Sequence, residues 1–253
     1  MKQTVPSSRL IGLLTRHGSV LVLTGAGVSQ ESGIAAFRDL GGLWEGVDPA
    51  HVATPRAFAA DPELVWRFYD ARRTQASAAH PNPAHHAIAA LEATDRPFLL
   101  ATQNVDGLHE RAGSRAVVRL HGSLWRVRCT LCGDEHEDLR PSLTPLPPRC
   151  AGCDGMLRPA VVWFEESLPM TEFARAEQAC SAAELVLVVG TSSLVYPAAS
   201  LPAAALAAGA YVVEINPERT PLSSAVNEHL AAPAGVVLPA LLAAAKIPMG
   251  RAA

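Results

Sequence analysis

The sequence predicts an α/β protein: a Rossmann-like, doubly wound parallel sheet carrying a smaller lobe. Three observations predict it. The apolar runs VLVLT (20–24), RPFLLATQN (96–104), LVLVVGT (185–191) and YVVEIN (211–216) are short, nearly continuous and rich in Leu or β-branched residues, as in strands buried on both faces. The Ala-rich helical stretches 172–184 and 198–209 separate the later runs, and alternation of strand and helix winds a parallel sheet. Residues 48–86 and 129–156 break this rhythm, the first helical in pattern, the second holding four cysteines and the Pro-rich LRPSLTPLPPR.

The bulk properties suit such a molecule. With 253 residues, 49% hydrophobic and 18% charged, the chain can bury the core of one or two domains. A net charge of −3 gives no global attraction to nucleic acid or anionic membrane. Its only lysines are Lys2 and Lys246; the other basic residues are arginines. The start, MKQTVPSSRLIG, has no long apolar segment behind a basic end, so no signal peptide is expected. The longest apolar stretch, LPAAALAAGAYVV, is too short to span a bilayer and is broken by Pro202 and Gly209. A cytoplasmic, monomeric protein is expected.

Along the chain, the first strand runs into TGAGVSQESG (24–33). Gly25 and Gly27 fit the first two glycines of a dinucleotide fingerprint, but the third small position, 30, is Gln. No acidic residue ends a second strand about 20 positions on, where FRDLGGLWEGVDP reads as loop. The turn alone is either a phosphate cradle or a plain tight turn, and a hydride-transfer enzyme is disfavoured. In 48–86 a helix is centred on DPELVWRFYDARRTQAS, with Asp61 as N-cap and Pro62 as first helical residue.

Cys129-x-x-Cys132 and Cys150-x-x-Cys153 are separated by 17 residues, the spacing of a four-thiolate zinc site. Four thiolates close the tetrahedron, so such a zinc is structural. The alternatives are free cysteines, disulfides or a nucleic-acid-binding zinc ribbon. The last is disfavoured because Arg126, Arg128, Arg140 and Arg149 are matched by Asp134, Glu135, Glu137 and Asp138, with no aromatic residues for base stacking. Cys180, on an apolar helical pattern, reads as a buried thiol.

Taken together, GAGVSQESGIAAFRD (25–39), TQNVDGLHERAG (102–113), LHGSLW (120–125), the two C-x-x-C pairs, VVWFEESLP (161–169), VGTSSLVYPA (189–198) and EINPE (214–218) resemble the sirtuin family, in its order, from about Val20 to Pro239. The resemblance implies an NAD-dependent protein-lysine deacylase in which NAD is consumed rather than reduced. It implies a Rossmann-like NAD-binding domain from 1–47, 87–125 and 157–253. The small domain would combine a helical module (48–86) with a zinc module (126–156) ligated by the four cysteines. Gly25, Ala26 and Gly27 would face the pyrophosphate. Gly190, Thr191, Ser192 and Ser193 would add phosphate and ribose contacts. Asn216, followed by Pro217, would hold the adenosine ribose, and Ala234 the adenine side. Phe37 and Arg38 would lie in the loop over the nicotinamide ribose. Gln103, Asn104 and Asp106 would form the nicotinamide pocket, with Asp106 on the carboxamide.

His121 in LHGSLW would be the catalytic base, a role that needs a group titrating near neutrality. The acyl oxygen would attack the nicotinamide ribose, nicotinamide would leave, a ribose hydroxyl deprotonated with the help of His121 would attack the resulting imidate, and water would release free lysine and O-acyl-ADP-ribose. Val161, Phe164, Glu165 and Glu166 would contact the acylated protein substrate, with the segment pairing as an added strand. The family usually has Gly where this chain has Glu165, and Pro where it has Ala35. Tyr69 and Arg72, three apart on one helix face, match the pair that reads the distal carboxylate in desuccinylase-type sirtuins, and Ala53 matches the small residue that leaves room for a longer acyl chain. Arg73 points elsewhere. A protein ADP-ribosyltransferase or NAD hydrolase on the same fold is the alternative.

Overall fold

A computed structural model describes residues 5–16, 18–35 and 47–249. Its helices are α1 (Ser8–Thr15), α2 (Pro55–Ala60), α3 (Pro62–Ala78), α4 (Pro83–Glu92), α5 (Leu108–Arg111), α6 (Met170–Ala182), α7 (Leu201–Ala207) and α8 (Ala234–Ala244). Its strands are β1 (Val20–Thr24), β2 (Phe98–Thr102), β3 (Val117–Arg119), β4 (Gly122–Cys129), β5 (Glu135–Glu137), β6 (Leu157–Val161), β7 (Leu185–Val189), β8 (Tyr211–Ile215) and β9 (Glu228–Leu230).

The main sheet is parallel throughout, in the order β3-β2-β1-β7-β8-β9, which is the order of a doubly wound fold. Every residue of β1 and β7 is buried. Side chains alternate between two cores, as strand geometry requires. Val20, Val22, Leu185, Leu187 and Val189 meet α1, α4 and α8 on one face. Leu21, Leu23, Val186 and Val188 meet α6 and α7 on the other. Continuous apolar strands are the direct consequence of that double cover. Cys180 of α6 is fully buried in the second core, and burial pushes its thiol up to about 12.

A second sheet, β5-β4-β6, is antiparallel and shares a third core with α2 and α3. Helix α3 starts where the sequence places it: Asp61 Oδ1 accepts from the Leu64 amide at 2.9 Å, with Pro62 behind it. Trp66 fastens the helix to β6 by donating its Nε1–H to the Leu157 carbonyl at 2.7 Å. Arg73, 1% exposed, donates to the carbonyls of Leu124, Asp138 and Arg140 and pairs with the Asp138 carboxylate. It is a buried structural tie, whereas Glu63 and Arg67 of the same helix form an exposed pair.

Three local features are set by the backbone rather than by apolar periodicity. The glycine turn opens a 3-10 helix (Ala26–Ser32) and not an α-helix, ended by Gly33 in the left-handed region. The run 185–191 ends as strand at Val189, because Gly190 turns left-handed at φ 58°. A boundary at 86/87 falls inside α4, whose start is fixed by a capping box: Asn82 Oδ1 accepts from the His85 amide while His85 Nδ1 accepts from the Asn82 amide. Lys246, exposed and left-handed, follows the end of α8. Among the described residues no helix is long and apolar enough to cross a membrane.

Candidate active site

The carboxyl ends of β1, β2, β7 and β8 meet at one edge of the parallel sheet, where doubly wound folds place ligands. The Gly25 amide donates to the Val189 carbonyl at 3.1 Å, and the Gly27 amide to the Gly190 carbonyl at 2.8 Å. A Cβ on Gly27 would lie 2.7 Å from that same carbonyl oxygen, so glycine is what lets the two turns touch. Gln103 Nε2 donates to Thr191 Oγ1 at 3.1 Å, and Asn216 Nδ2 to the Thr191 carbonyl at 3.0 Å. Gln103, Thr191 and Asn216 therefore form one polar line across three strand ends. Ser192 lies beside it half-buried, and Pro217 follows Asn216. Ser193 is left-handed at φ 55°, and its Oγ is buried with no hydrogen-bond partner among the described residues. Ala234 begins α8, with the next amide, Gly235, held by Glu31 at 2.7 Å. Phe37 and Arg38 lie outside the described residues.

Asn104 and Asp106 follow β2 and are held by a buried polar network. Ser29 Oγ donates to Asp106 Oδ2 at 2.8 Å and accepts from Asn104 Nδ2 at 3.0 Å. The Leu108 amide donates to Asp106 Oδ1 at 2.8 Å. Burial pushes the Asp106 carboxyl up, against the pull of these donors and of the Arg72 charge. Two histidines sit behind, their rings 4.8 Å apart. His85 Nδ1 accepts from Asn82, so its Nε2 carries the proton and faces Ser29 Oγ at 3.4 Å. His109 Nε2 meets Thr24 Oγ1 at 3.0 Å, and Thr24 donates on to Thr102 Oγ1 at 2.8 Å, which also accepts from the Asn104 amide. Desolvation holds His85 down to about 3 and His109 to about 4, so both are neutral. Sequence reasoning missed Ser29, His85 and His109. Ser29 lies inside the glycine turn and His109 inside TQNVDGLHERAG, whereas His85 has no motif and depends on the fold bringing α4 and α5 together.

His121 sits between β3 and β4. Its Nδ1–H donates to the Gln103 carbonyl at 3.1 Å, because a carbonyl can only accept. Nε2 is therefore the basic nitrogen. Burial lowers the imidazole from its ordinary value, the hydrogen bond opposing. The His121 carbonyl accepts from the Val162 amide at 2.9 Å, so the residue is continuous with the segment 161–166.

In that segment only Val161 belongs to a strand, where it pairs with Gly122. Residues 162–166 leave the sheet because their polar groups find partners outside it. The Phe164 amide donates to the Ala53 carbonyl at 3.0 Å, and the Glu166 amide to the Trp163 carbonyl at 3.1 Å. Glu166 pairs with the nearly buried Arg158 at 2.6 Å. Phe164 is 45% exposed. Glu165 is half-exposed and pairs with Arg56 at 2.7 Å, in a left-handed conformation at φ 73°. That conformation explains why glycine suits the position. Ala53, Tyr69 and Arg72 are 2%, 2% and 7% exposed. Arg72 lies with its guanidinium 5.6 Å from the Phe68 ring centre.

The four cysteine sulfurs lie within 4.8 Å of one another, with Cys129 and Cys153 at 3.5 Å and Cys132 and Cys150 at 3.8 Å. A tetrahedron of about 2.3 Å Zn–S bonds has edges of about 3.8 Å. The donor set fits zinc and leaves no fifth ligand for catalysis.

The Sir2 family profile matches residues 25–197. The NAD-dependent protein deacylase of Aquifex aeolicus is 48% identical over 211 residues, 83% of this chain and 88% of that one. The NAD-dependent protein deacylase 1 of Pseudomonas aeruginosa is 49% identical over 241 residues, 92% and 96% of the two chains. A crystal structure of a Sir2 homolog–NAD complex superposes with a TM-score of 0.91 at 43% identity, covering 97% of this chain and 96% of the other. A Sir2 structure with a deacetylated peptide and 3′-O-acetyl ADP ribose gives 0.85 at 30% identity, covering 95% and 98%.

Proposed function

Because this chain belongs to the Sir2 family, we propose that it is an NAD-dependent protein-lysine deacylase that removes succinyl and malonyl groups, and acetyl groups as well. The strand-end cleft fits NAD: its glycine turn, the Gln103–Thr191–Asn216 line and the buried, unpartnered Ser193 hydroxyl are the groups a dinucleotide would use. NAD supplies a ribose carbon with nicotinamide as leaving group. Gly25, Ala26 and Gly27 hold the pyrophosphate, with Gly190, Thr191, Ser192 and Ser193 beside them. Asn216, Pro217 and Ala234 hold the adenosine half. Asp106 grips the carboxamide and Asn104 the nicotinamide ribose; the Ser29 hydroxyl and the Leu108 amide fix Asp106 before a ligand arrives. His121, proton already on Nδ1, takes a proton from a ribose hydroxyl at Nε2, and the acyl group ends on ADP-ribose. Phe37 and Arg38 are assigned to the nicotinamide side by resemblance alone.

The observation that carries the acyl assignment is the continuity from His121 through Val162–Phe164 to Tyr69 and Ala53. It supports a reading in which the segment leaving His121 runs past a buried phenol and a small side chain, with the buried Arg72 guanidinium on the helix that carries Tyr69. A planar guanidinium with a phenol donor suits a carboxylate at the end of the acyl chain. Val161, Phe164, Glu165 and Glu166 line the path of the peptide. Free thiols in zinc geometry and the absence of cystine among the described residues fit a reducing, cytoplasmic setting. The test uses one peptide carrying acetyl- or succinyl-lysine, with and without NAD. NAD-dependent loss of succinyl, crippled in Arg72→Met while acetyl turnover persists, is the expected result. Loss of acetyl alone would discard the acidic-acyl assignment. Nicotinamide release with neither acyl group lost would replace the deacylase with a transferase or hydrolase.

A further inference from the structure

Tyr69 cannot read a carboxylate unless its hydroxyl proton is free to be donated, and one neighbour decides that. Trp163 is 3% exposed and its Nε1 lies 3.0 Å from the Tyr69 hydroxyl. An indole N–H only donates, so the phenol oxygen must accept. Trp163 is the hydrogen-bond partner of that hydroxyl among the described residues, and burial of the phenol raises its pKa, so it keeps its proton.

The indole is held on every side. The Arg158 guanidinium carbon stacks 3.4 Å from the ring centre, Phe58 packs at 5.3 Å, and the Trp163 amide donates to Glu166 Oε2 at 2.8 Å. Glu166 in turn grips Arg158 through both carboxylate oxygens, at 2.6 and 2.9 Å. A cation on the ring face draws electron density from the indole and makes its N–H a better donor.

We propose that Trp163 is a specificity-determining positioning residue for acidic acyl groups. Its N–H occupies the accepting side of the Tyr69 hydroxyl and leaves the phenolic proton for the distal carboxylate of succinyl- or malonyl-lysine. Without that N–H the hydroxyl is free to rotate and to donate elsewhere, and the carboxylate loses an oriented donor. The inference rests on the reading of Tyr69 and Arg72 as the acyl-binding pair.

The test compares wild type, Trp163→Phe, Tyr69→Phe, Arg72→Met and the double variant Trp163→Phe/Tyr69→Phe on succinyl and acetyl versions of one peptide. Affinity of each peptide without NAD is read by calorimetry, and KM and kcat with NAD. Trp163→Phe is expected to weaken succinyl binding and raise its KM about 3–10-fold relative to acetyl, as loss of one oriented hydrogen bond would, with kcat within about twofold. The double variant is expected to be no worse in selectivity than Tyr69→Phe alone, since both changes break the same bond. Benzothienylalanine at position 163 keeps the ring and its contact with Arg158 but has no N–H, and repeats the test without a cavity. An equal loss for both peptides in that isostere, or no loss for either, overturns the role of Trp163 while leaving Tyr69 and Arg72 in place. Unchanged selectivity in Tyr69→Phe and Arg72→Met overturns the acyl-binding pair itself, and the inference with it.

Discussion

The hydrogen bond from His121 Nδ1 to the Gln103 carbonyl decides which ring nitrogen can take a proton. Because the tautomer is fixed by the fold, His121→Ala is expected to lower kcat by about 10²–10⁴-fold, the usual worth of a general base, with thermal unfolding little changed. Steady-state kinetics beside a melting curve separates this from a folding defect. Burial sets the imidazole below its ordinary 6.5, so the base stays deprotonated as pH falls past that value. The acidic limb of the kcat/KM profile should therefore lie below pH 6.5, and a limb above it would mean that another group is limiting. Glu165 makes a separate residue-scale case. An L side chain at φ 73° costs about 1–2 kcal/mol, against a few tenths from an ion pair this exposed. Glu165→Gly should raise the melting temperature by about 1–4 °C; a lower one would show that Arg56 holds the segment more firmly than its exposure implies.

At the scale of elements, the glycine turn and the cysteine pairs carry most of the architecture. Gly27→Ala would drive a methyl carbon into the backbone at Gly190, so the β1 and β7 turns must part. Loss of more than about 2 kcal/mol in denaturant stability is expected, together with loss of NAD binding by calorimetry. Strand β5 is exposed along its whole length, and the loops that carry the cysteines lie beyond the buried Val127 and Leu157 of β4 and β6. Metal analysis should find one zinc per chain, and chelation should lower the melting temperature and abolish deacylation together. These two elements were legible in the sequence because their physics is local: a spacing of ligands, and small residues after a β-rich run. Strands β1, β2, β7 and β8 were legible for the same reason. Strands β3, β5 and β9 are only three residues each and carry no periodicity to read. Sheet β5-β4-β6 was hidden for another reason, since β4 begins inside the LHGSLW motif and changes register between Gly122 and Val127.

At the scale of the whole molecule, the site is assembled from residues 25 to 234, and of its interior wiring only Asn104 and Asp106 were legible. His85 has no motif of its own and His109 carries no separate signal within TQNVDGLHERAG; each acts because α4 and α5 pack behind the β2 turn. Both are held neutral, at about 3 and about 4, whereas an unfolded chain protonates imidazole near 6.5. As pH falls below 6.5 the unfolded state gains protons that the folded state refuses, so stability falls, by about 1.4 kcal/mol per pH unit for each histidine down to about pH 4. Above that value both states hold neutral rings and the contribution is constant. The melting temperature should be flat from about pH 7 to 8 and drop steadily toward pH 5; a flat profile throughout would mean that these rings gain protons without cost. A different property comes from the helix that closes the fold. Lys246 stands just past the end of α8, and the cleft begins at its other end, at Ala234, about 16 Å away along an 11-residue helix. With Lys2 the only other lysine, amine-directed coupling finds few handles on this chain. A dye or a sensor surface attached through Lys246 would hold the molecule by its back, with the cleft facing the solution.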